Sequence, residues 1–264
     1  MIKHQITIII PVLNEAEIIG NLLQHLISIS DSDNISEIIV VDGGSVDGTL
    51  DQIRPTRFLK PSRSGNDSTD AETILGQTQR YSLELESQSK ICLINSPKGR
   101  AKQMNLGAKN ATGNILYFLH ADSFPPKNFD QHIINEIKKG NKAGCFRMQF
   151  DSNHWWLKLA SWLTQFSWRA CRGGDQSQFI SKALFDEIGG YDESYIIYED
   201  NILINELYAR KEFVVINEKI TTSARLYKKH GVWKLQYHFW TIYVKKWFGA
   251  SADELFAYYK KYVC

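Results

Sequence analysis

The stretch Glu37-Ile-Ile-Val-Val-Asp-Gly-Gly-Ser45 decides the fold of this chain. Its run of isoleucine and valine is typical of a strand that is buried on both faces of a parallel sheet. The carboxylate of Asp42 and two glycines follow at once, where the strand must end and the chain must turn. Ligands of open α/β sheets bind at such carboxyl ends of strands. The stretch therefore predicts an α/β fold and the edge of the sheet that carries the site.

Strands and helices alternate through the first half of the chain. We predict strands over residues 5–10, 91–94 and 114–119, and helices after residue 18 and over about 99–109. This alternation implies right-handed crossovers and a Rossmann-like, mostly parallel central sheet that is flanked by helices.

The alternation lapses in two places. A polar insertion occupies about residues 55–90, with a weak helical pattern over 71–85. Later, four tryptophans lie within 155–168, an aromatic-rich helix is predicted over 232–248, and a closing helix follows Ser251. Packing in the core is the simpler explanation of these aromatics, and contact with a membrane surface is the alternative.

Composition narrows the class of protein. The chain has 31 basic and 29 acidic residues, a balance that disfavours nucleic acid as a partner. Its four cysteines are scattered without the spacing of a metal site, which favours a reducing, cytoplasmic setting. No run reaches the ~18–20 apolar residues of a membrane span. We expect a soluble cytoplasmic protein, with peripheral contact at the inner face of the membrane as an option.

Carboxylates follow three of the predicted strands, as Glu15, Asp42 and Asp122. Each has an alternative role as a cap or first-turn residue of the next helix. Asp42 and Asp122 lie directly at the ends of buried strands, which favours function for both. Asp42 is placed to bond a ribose, and Asp122 is a candidate oxygen ligand for Mg²⁺ or Mn²⁺. The sequence has neither a phosphate loop nor a G-x-G-x-x-G motif after the first strand.

Five motifs at these strand ends and beyond carry a family resemblance. The motifs are Ile9-Ile-Pro-Val-Leu-Asn-Glu15, Val40-Val-Asp-Gly-Gly-Ser-Val-Asp-Gly-Thr49, Gly99-Arg-Ala-Lys-Gln-Met-Asn105, Phe118-Leu-His-Ala-Asp122 and Tyr198-Glu-Asp200. In this order they are similar to the landmarks of the family 2 glycosyltransferases with the GT-A fold, and among those to a bacterial subfamily associated with radical-SAM and selenoprotein-type domains.

The resemblance implies a hexosyltransferase that uses a UDP- or GDP-linked sugar, with Mn²⁺ or Mg²⁺ as cofactor. Its acceptor is unidentified, and a lipid-linked acceptor is one option. Residues 1–264 would form one domain, with a nucleotide-sugar-binding half over 1–123 and an acceptor-side half over 124–264. The implied roles are nucleotide binding for Pro11, Asn14, Glu15, Asp42 and Arg100; metal binding for Asp122 and His120; contact with acceptor or sugar for Asp175, Gln176 and Arg225; and general base for Asp200, with Glu199 beside it.

Some of these roles have structural alternatives. His120 stands where the family motif has an aspartate; histidine ligates Mn²⁺ but is a poorer ligand for Mg²⁺, and it can equally be a core residue. Asp175 can cap an ordinary turn, and Arg225 can form a surface ion pair.

A single carboxylate base acting by direct displacement would invert the anomeric configuration. One alternative function is a nucleotide-sugar-binding protein without catalysis. A sugar-nucleotide pyrophosphorylase is another, but it needs a glycine-rich loop where this chain has Pro11-Val-Leu-Asn-Glu15.

Overall fold

The computed structural model describes residues 3–53, 80–84 and 90–263. Short 3₁₀ turns cover Arg169–Cys171 and Gly174–Gln176. The strands and helices, in chain order, are β1 (Ile6–Val12), α1 (Ile19–Ile29), β2 (Ile35–Asp42), α2 (Thr49–Ile53), β3 (Arg80–Glu84), β4 (Lys90–Asn95), α3 (Arg100–Asn110), β5 (Ile115–Phe118), β6 (Ser123–Phe124), α4 (Phe129–Lys138), β7 (Ala143–Phe150), α5 (Trp155–Leu163), β8 (Gln178–Ser181), α6 (Lys182–Ile188), α7 (Glu199–Ala209), β9 (Phe213–Thr222), α8 (Arg225–His230), α9 (Val232–Trp247) and α10 (Ala252–Tyr262).

Within the described residues, nine strands form one sheet in the order β3-β4-β2-β1-β5-β8-β7-β9-β6. The four strands β4, β2, β1 and β5 are parallel, as the alternation of strands and helices predicts. Beyond β5 the sheet is mixed: β8 pairs antiparallel with both β5 and β7, and β9 is parallel to β7 but antiparallel to β6. The expectation of a mostly parallel sheet therefore holds only for the first half, because regular β-α-β crossovers stop after β5.

The central strands are buried on both faces. In β1, Ile8 and Ile10 pack into one apolar cluster with helix α1, whereas Ile9 packs into a second cluster with Met104 and Ala108 of α3. This alternation follows from the two-residue period of a strand, which sends neighbouring side chains to opposite faces. Helices therefore cover both faces of the sheet.

Helix α3 lies very close to the sheet at Gly107. A Cβ atom on this glycine would lie 2.5 Å from Cγ2 of Ile9 and 3.2 Å from Cγ2 of Val41. Only glycine lets the helix backbone come this close to β1 and β2. The close approach holds α3 against β1 and β2.

Two expectations from the sequence are wrong. The weak helix over 71–85 is a strand over Arg80–Glu84, which pairs antiparallel with the otherwise open edge of β4; residues 71–79 lie outside the described residues. The tryptophans are not all core residues, since Trp155, Trp162 and Trp168 each expose more than half of their side chains. In the part of the chain that the structure describes, no helix has both the length and the apolar character to cross a membrane.

Replacing Gly107 with alanine tests the close approach of α3. We expect Gly107→Ala to lower the free energy of unfolding by about 1–2 kcal/mol, because overpacking costs more than the alanine gains in helix propensity. The matched control is Gly20→Ala in α1, where the added Cβ would meet only Oε1 of Gln52, at 3.7 Å. That change should be neutral or stabilise by up to about 1 kcal/mol. Urea denaturation measures both, and equal stability of the two variants would contradict the packing argument.

Candidate active site

The loops that follow β1 and β2 are tied into one unit. The backbone N–H of Asn14 donates to Oγ of Ser45 (2.9 Å), and Oδ1 of Asn14 accepts from the N–H of Val46 (2.9 Å). Asp42 is buried, and its carboxylate accepts from the N–H groups of Gly44 (2.9 Å) and Ser45 (3.1 Å). Pro11 pairs with Val41 in the ladder between the two strands. The predicted nucleotide-binding residues of these loops therefore lie side by side.

Arg225, at the start of α8, links the loop that follows β1 with the turn that follows β5. Its guanidinium donates to both carboxylate oxygens of Glu15, at 2.5 and 2.7 Å, and its Nε lies 3.4 Å from Oδ2 of Asp122. A two-pronged arginine–carboxylate pair fixes orientation as well as charge. Three residues with predicted roles in nucleotide, metal and acceptor binding thus meet at one point.

A buried acidic pair lies at the start of α7. Glu199 is fully buried and Asp200 nearly so. Nε of Arg100, from the first turn of α3, donates to Glu199, and its Nη2 lies 3.6 Å from Oδ2 of Asp200. Desolvation raises the pKa of both carboxyl groups, and the positive charge of Arg100 acts against that shift. Arg100 is thus placed by the structure against the acidic pair.

The residue before this pair has an unusual backbone. Tyr198 has φ of +73°, a left-handed conformation that is costly for a bulky side chain and is found mainly at functional sites. Asn14 has φ of +58°, which its residue type tolerates better. This left-handed residue comes directly before the two carboxylates that face Arg100.

The turn Gly174–Gln176 covers Asp200. A methyl group on Gly174 would overlap the Asp200 carboxylate and would lie 3.1 Å from Cε1 of His120, so only glycine fits. Oδ1 of Asp175 lies 3.7 Å from Nδ1 of His120. Desolvation, followed by the charge of Arg100, lowers the pKa of His120 to about 4. The imidazole is therefore neutral near pH 7, and its contact with Asp175 is not an ion pair.

Asp175 itself faces solvent, with 58% of its side chain exposed. The protein around it raises its pKa to about 6, chiefly by desolvation and then by the charge of Asp122. Because so much of the side chain is in contact with water, solvent screening reduces this shift. Asp175 is thus the exposed carboxylate of the site, close enough to Asp122 to sense its charge.

Gln176 lies differently from the prediction. It is buried, its Oε1 accepts from Nη1 of Arg172 (2.6 Å), and its Nε2 donates to the carbonyl of Cys171 (2.6 Å). Both ends of the amide are occupied inside the protein. Gln176 therefore holds the turn in place, and the expected contact of its side chain with an acceptor is not available.

Sequence reasoning missed the residues that hold this site together. Nε2 of Gln103 donates to the carbonyls of Val12 (2.8 Å) and Val41 (2.7 Å), which fastens α3 to the ends of β1 and β2. Buried Arg172 donates to the carbonyls of Thr164 and Phe166 as well as to Gln176. Gln103 lies within the motif over 99–105, so the sequence could have identified it as a residue near the site. No pattern in the sequence distinguishes Arg172.

The donor atoms limit the kind of metal site that fits. Among the described residues, no three His, Cys, Asp or Glu side chains gather as a metal-binding group. Asp122 offers one carboxylate, one-fifth exposed, in the turn between the parallel strand β5 and the short strand β6. Mg²⁺ and Mn²⁺ in nucleotide enzymes are often held by one or two carboxylates together with substrate phosphates. The residues fit that arrangement and do not fit a cage made of protein alone.

Comparison with known proteins identifies the family. The model of the family described as "Glycosyl transferase family 2" matches residues 7–62 and 68–192. The chain belongs to this family. The predicted membership is therefore confirmed, whereas the narrower resemblance to the subfamily associated with radical-SAM domains stays a prediction. No curated protein sequence matches this chain.

Solved structures show the same fold. Mannosyltransferase PcManGT from Pyrobaculum calidifontis, in complex with GDP-Man and Mn²⁺, matches with a TM-score of 0.61 and 18% identity over 92% of this chain and 61% of its own. S. aureus TarS 1-349 in complex with UDP matches with a TM-score of 0.59 and 14% identity, over 83% and 60%. TarS 1-349 with UDP-GlcNAc matches at 0.58 and 16%, over 83% and 58%. The chain thus spans about three fifths of these structures, and their likeness supports the predicted GT-A type of α/β fold.

Removing Arg100 tests its role in holding the acidic pair. We expect Arg100→Met to lower the free energy of unfolding at about pH 7.5 by roughly 2 kcal/mol, less than the ~3–5 kcal/mol of fully buried pairs because 38% of the Arg100 side chain is exposed. Without the guanidinium the pKa of Glu199 rises further, so the folded state binds a proton that the unfolded state releases. Stability should therefore recover as the pH falls to about 5.

Lys102→Met, which removes an exposed cation from the same helix, is the control and should change little. Thermal or urea unfolding at both pH values measures the effect. A loss of stability in Arg100→Met that is the same at both pH values would contradict a charge-based role for Arg100.

Proposed function

We propose that this chain transfers a sugar from a nucleotide-diphospho-sugar to an acceptor hydroxyl. The observation that carries the proposal is the buried Glu199-Asp200 pair, which Arg100 holds beside the joined strand-end loops of a family 2 glycosyltransferase domain. Charged residues that are buried next to a site accessible to substrate commonly serve catalysis.

The donor would bind at the loops after β1 and β2. Pro11, Asn14, Glu15 and Asp42 lie there, within the proposed nucleotide-binding half over 1–123. Proteins of similar fold are described with UDP, UDP-GlcNAc or GDP-Man, which supports a UDP- or GDP-linked sugar. Arg225 bonds to Glu15 at the same loops. Its positive charge would stabilise negative charge on the departing diphosphate.

Asp200 would act as the general base. Burial raises its pKa, which makes the ionised carboxylate a stronger proton acceptor. As the acceptor oxygen bonds to the anomeric carbon, its proton passes to Asp200. The bond between that carbon and the diphosphate oxygen breaks, and its electron pair leaves with the nucleoside diphosphate. A single displacement of this kind inverts the anomeric configuration.

A divalent ion fits the same proposal. Asp122 would hold Mn²⁺ or Mg²⁺, with neutral His120 as a nearby nitrogen donor that suits Mn²⁺ better. Bound there, the ion would supply positive charge to the diphosphate. Asp175, exposed and close to the charge of Asp122, would contact the acceptor or the sugar.

The base assignment is tested with Asp200→Asn. We expect sugar transfer to fall by about 10²-fold or more, while binding of the nucleotide-sugar, measured by thermal shift, is retained. Asp186→Asn, an exposed carboxylate on α6, is the matched control. Near-normal transfer by Asp200→Asn would remove Asp200 as base. A wild-type chain that binds the donor but never releases UDP or GDP would instead be a binding protein without catalysis.

The metal assignment is tested with Asp122→Asn. A ligand that binds only the folded state raises the melting temperature, and the rise grows with the logarithm of its concentration relative to Kd. We expect Mn²⁺ to enlarge the thermal shift caused by UDP or GDP in the wild-type chain and not in Asp122→Asn. Asp51→Asn, at an exposed position of α2, should behave like wild type. The same Mn²⁺ effect in all three proteins would exclude Asp122 as the ligand.

A further inference from the structure

Helix α9 carries an apolar stripe on its outer side. Its buried residues are Leu235 and Ile242, seven residues apart, which face the protein. The opposite positions repeat at the same helical spacing but are large and exposed, with between 49 and 85% of each side chain open to solvent. The exposed stripe is Trp233, Tyr237, Trp240, Val244 and Trp247, and Phe248 continues it beyond the end of the helix.

Helix α5 extends this surface. Trp155 lies 5.7 Å from Trp233 between ring centroids, and Trp156 lies 5.4 Å from Trp233 and 5.8 Å from Trp240. Trp155 and Trp162, two turns apart on α5, are exposed by 60 and 52%. We call the exposed aromatic residues of α5 and α9, with the lysines of α5, α8 and α9, the aromatic-basic face.

The charge on this face is predominantly positive. Residues 152–174 and 219–252 contain no aspartate or glutamate. Lysines flank the aromatic stripe instead, and those at 158, 229, 234 and 245 are exposed. Acidic groups lie only at its ends, where Asp151 pairs with Lys228 (3.4 Å) and Glu254 of α10 interacts with Lys245. An apolar stripe with a mainly cationic border is the pattern of helices that lie on anionic lipid.

We propose that the aromatic-basic face docks on the surface of a bilayer that contains anionic lipid. Tryptophan and tyrosine favour the membrane–water boundary, where the ring is buried and the N–H or O–H stays hydrated. Lysine stems reach past them towards the phosphates. A protein partner fits less well, because lysine is depleted at protein interfaces. A second copy fits less well still, since two-fold pairing would set lysines against lysines.

The face is continuous with the candidate active site. Arg225, which bonds Glu15, begins α8, and Tyr227 of the same helix packs edge-on against Phe150 and against Phe239 of α9. Docking would therefore hold the site next to the lipid surface. This last step, which rests on the proposed function, suits an acceptor that is anchored in the bilayer.

Vesicle binding of the full chain tests the docking independently of transfer. We expect the protein to float with vesicles of phosphatidylcholine mixed with phosphatidylglycerol, more weakly with phosphatidylcholine alone, and less at high salt. The variant Trp247→Ser/Phe248→Ser should lower the partition coefficient by about tenfold or more, and the exchanged pair Trp247→Phe/Phe248→Trp should retain it. Both residues are more than four-fifths exposed, and circular dichroism checks that the variants fold.

Charge reversal tests the cationic border. Lys229→Glu/Lys234→Glu/Lys245→Glu should lower binding to anionic vesicles by about tenfold or more. The same reversal at Lys109, Lys127 and Lys138, exposed lysines outside the face, should have a much smaller effect. Wild-type protein that stays with no vesicle would overturn the proposal, and so would wild-type binding by both Trp247→Ser/Phe248→Ser and the charge reversal on the face. A dimer seen by light scattering that is lost in Trp247→Ser/Phe248→Ser, without vesicle binding, would assign the face to a second copy. Docking with no sugar transfer would leave the docking intact and refute the proposed function alone.

Discussion

The ion pair between Arg100 and the buried carboxylates Glu199 and Asp200 is the interaction on which the site depends. Two adjacent carboxylates without water around them need a cation, or they lose their charge. That cation comes from the first turn of α3, so α3 must sit where its guanidinium reaches α7. Gly107 lets the helix lie close on β1 and β2, and Gln103 bonds both strand ends. Packing of one helix thereby sets the charge state of the acids on another.

The first half of the fold could be predicted from the sequence because its signals are local. Continuous isoleucine and valine runs identify strands with two buried faces, and turn residues mark their ends. The mixed second half could not be predicted in this way. Strands β7, β8 and β9 are placed by pairing between residues far apart in the chain, and no local pattern records the direction of a neighbour. The strand at Arg80–Glu84 is a similar case, since its pairing with β4 overrides a weak helical pattern.

The rule that ligands bind at the carboxyl ends of the strands also predicted several residues of the candidate site. It named Glu15, Asp42 and Asp122, and the structure brings Glu15 and Asp122 to one guanidinium. It did not show that the Gln176 amide is used up inside the protein, because that depends on Arg172, which reaches it across a turn. The exposure of the tryptophan side chains could not be predicted either. A tryptophan-rich helix has the same composition whether its aromatic side faces the core or the solvent.

The two sides of the site differ in how firmly they are built. On one side, the backbone of α3 lies against Ile9 with no space between them, and Glu199 is sealed from solvent. On the other, Arg225 begins a helix of six residues, none of them buried, which ends at Gly231. A segment with so little buried surface opens at a lower free energy than the buried central strands of the sheet. One side of the site, built by α3 and Glu199, is therefore rigid, and the other side, built by α8, is more easily deformed. Changes of shape that accompany binding would be concentrated at α8.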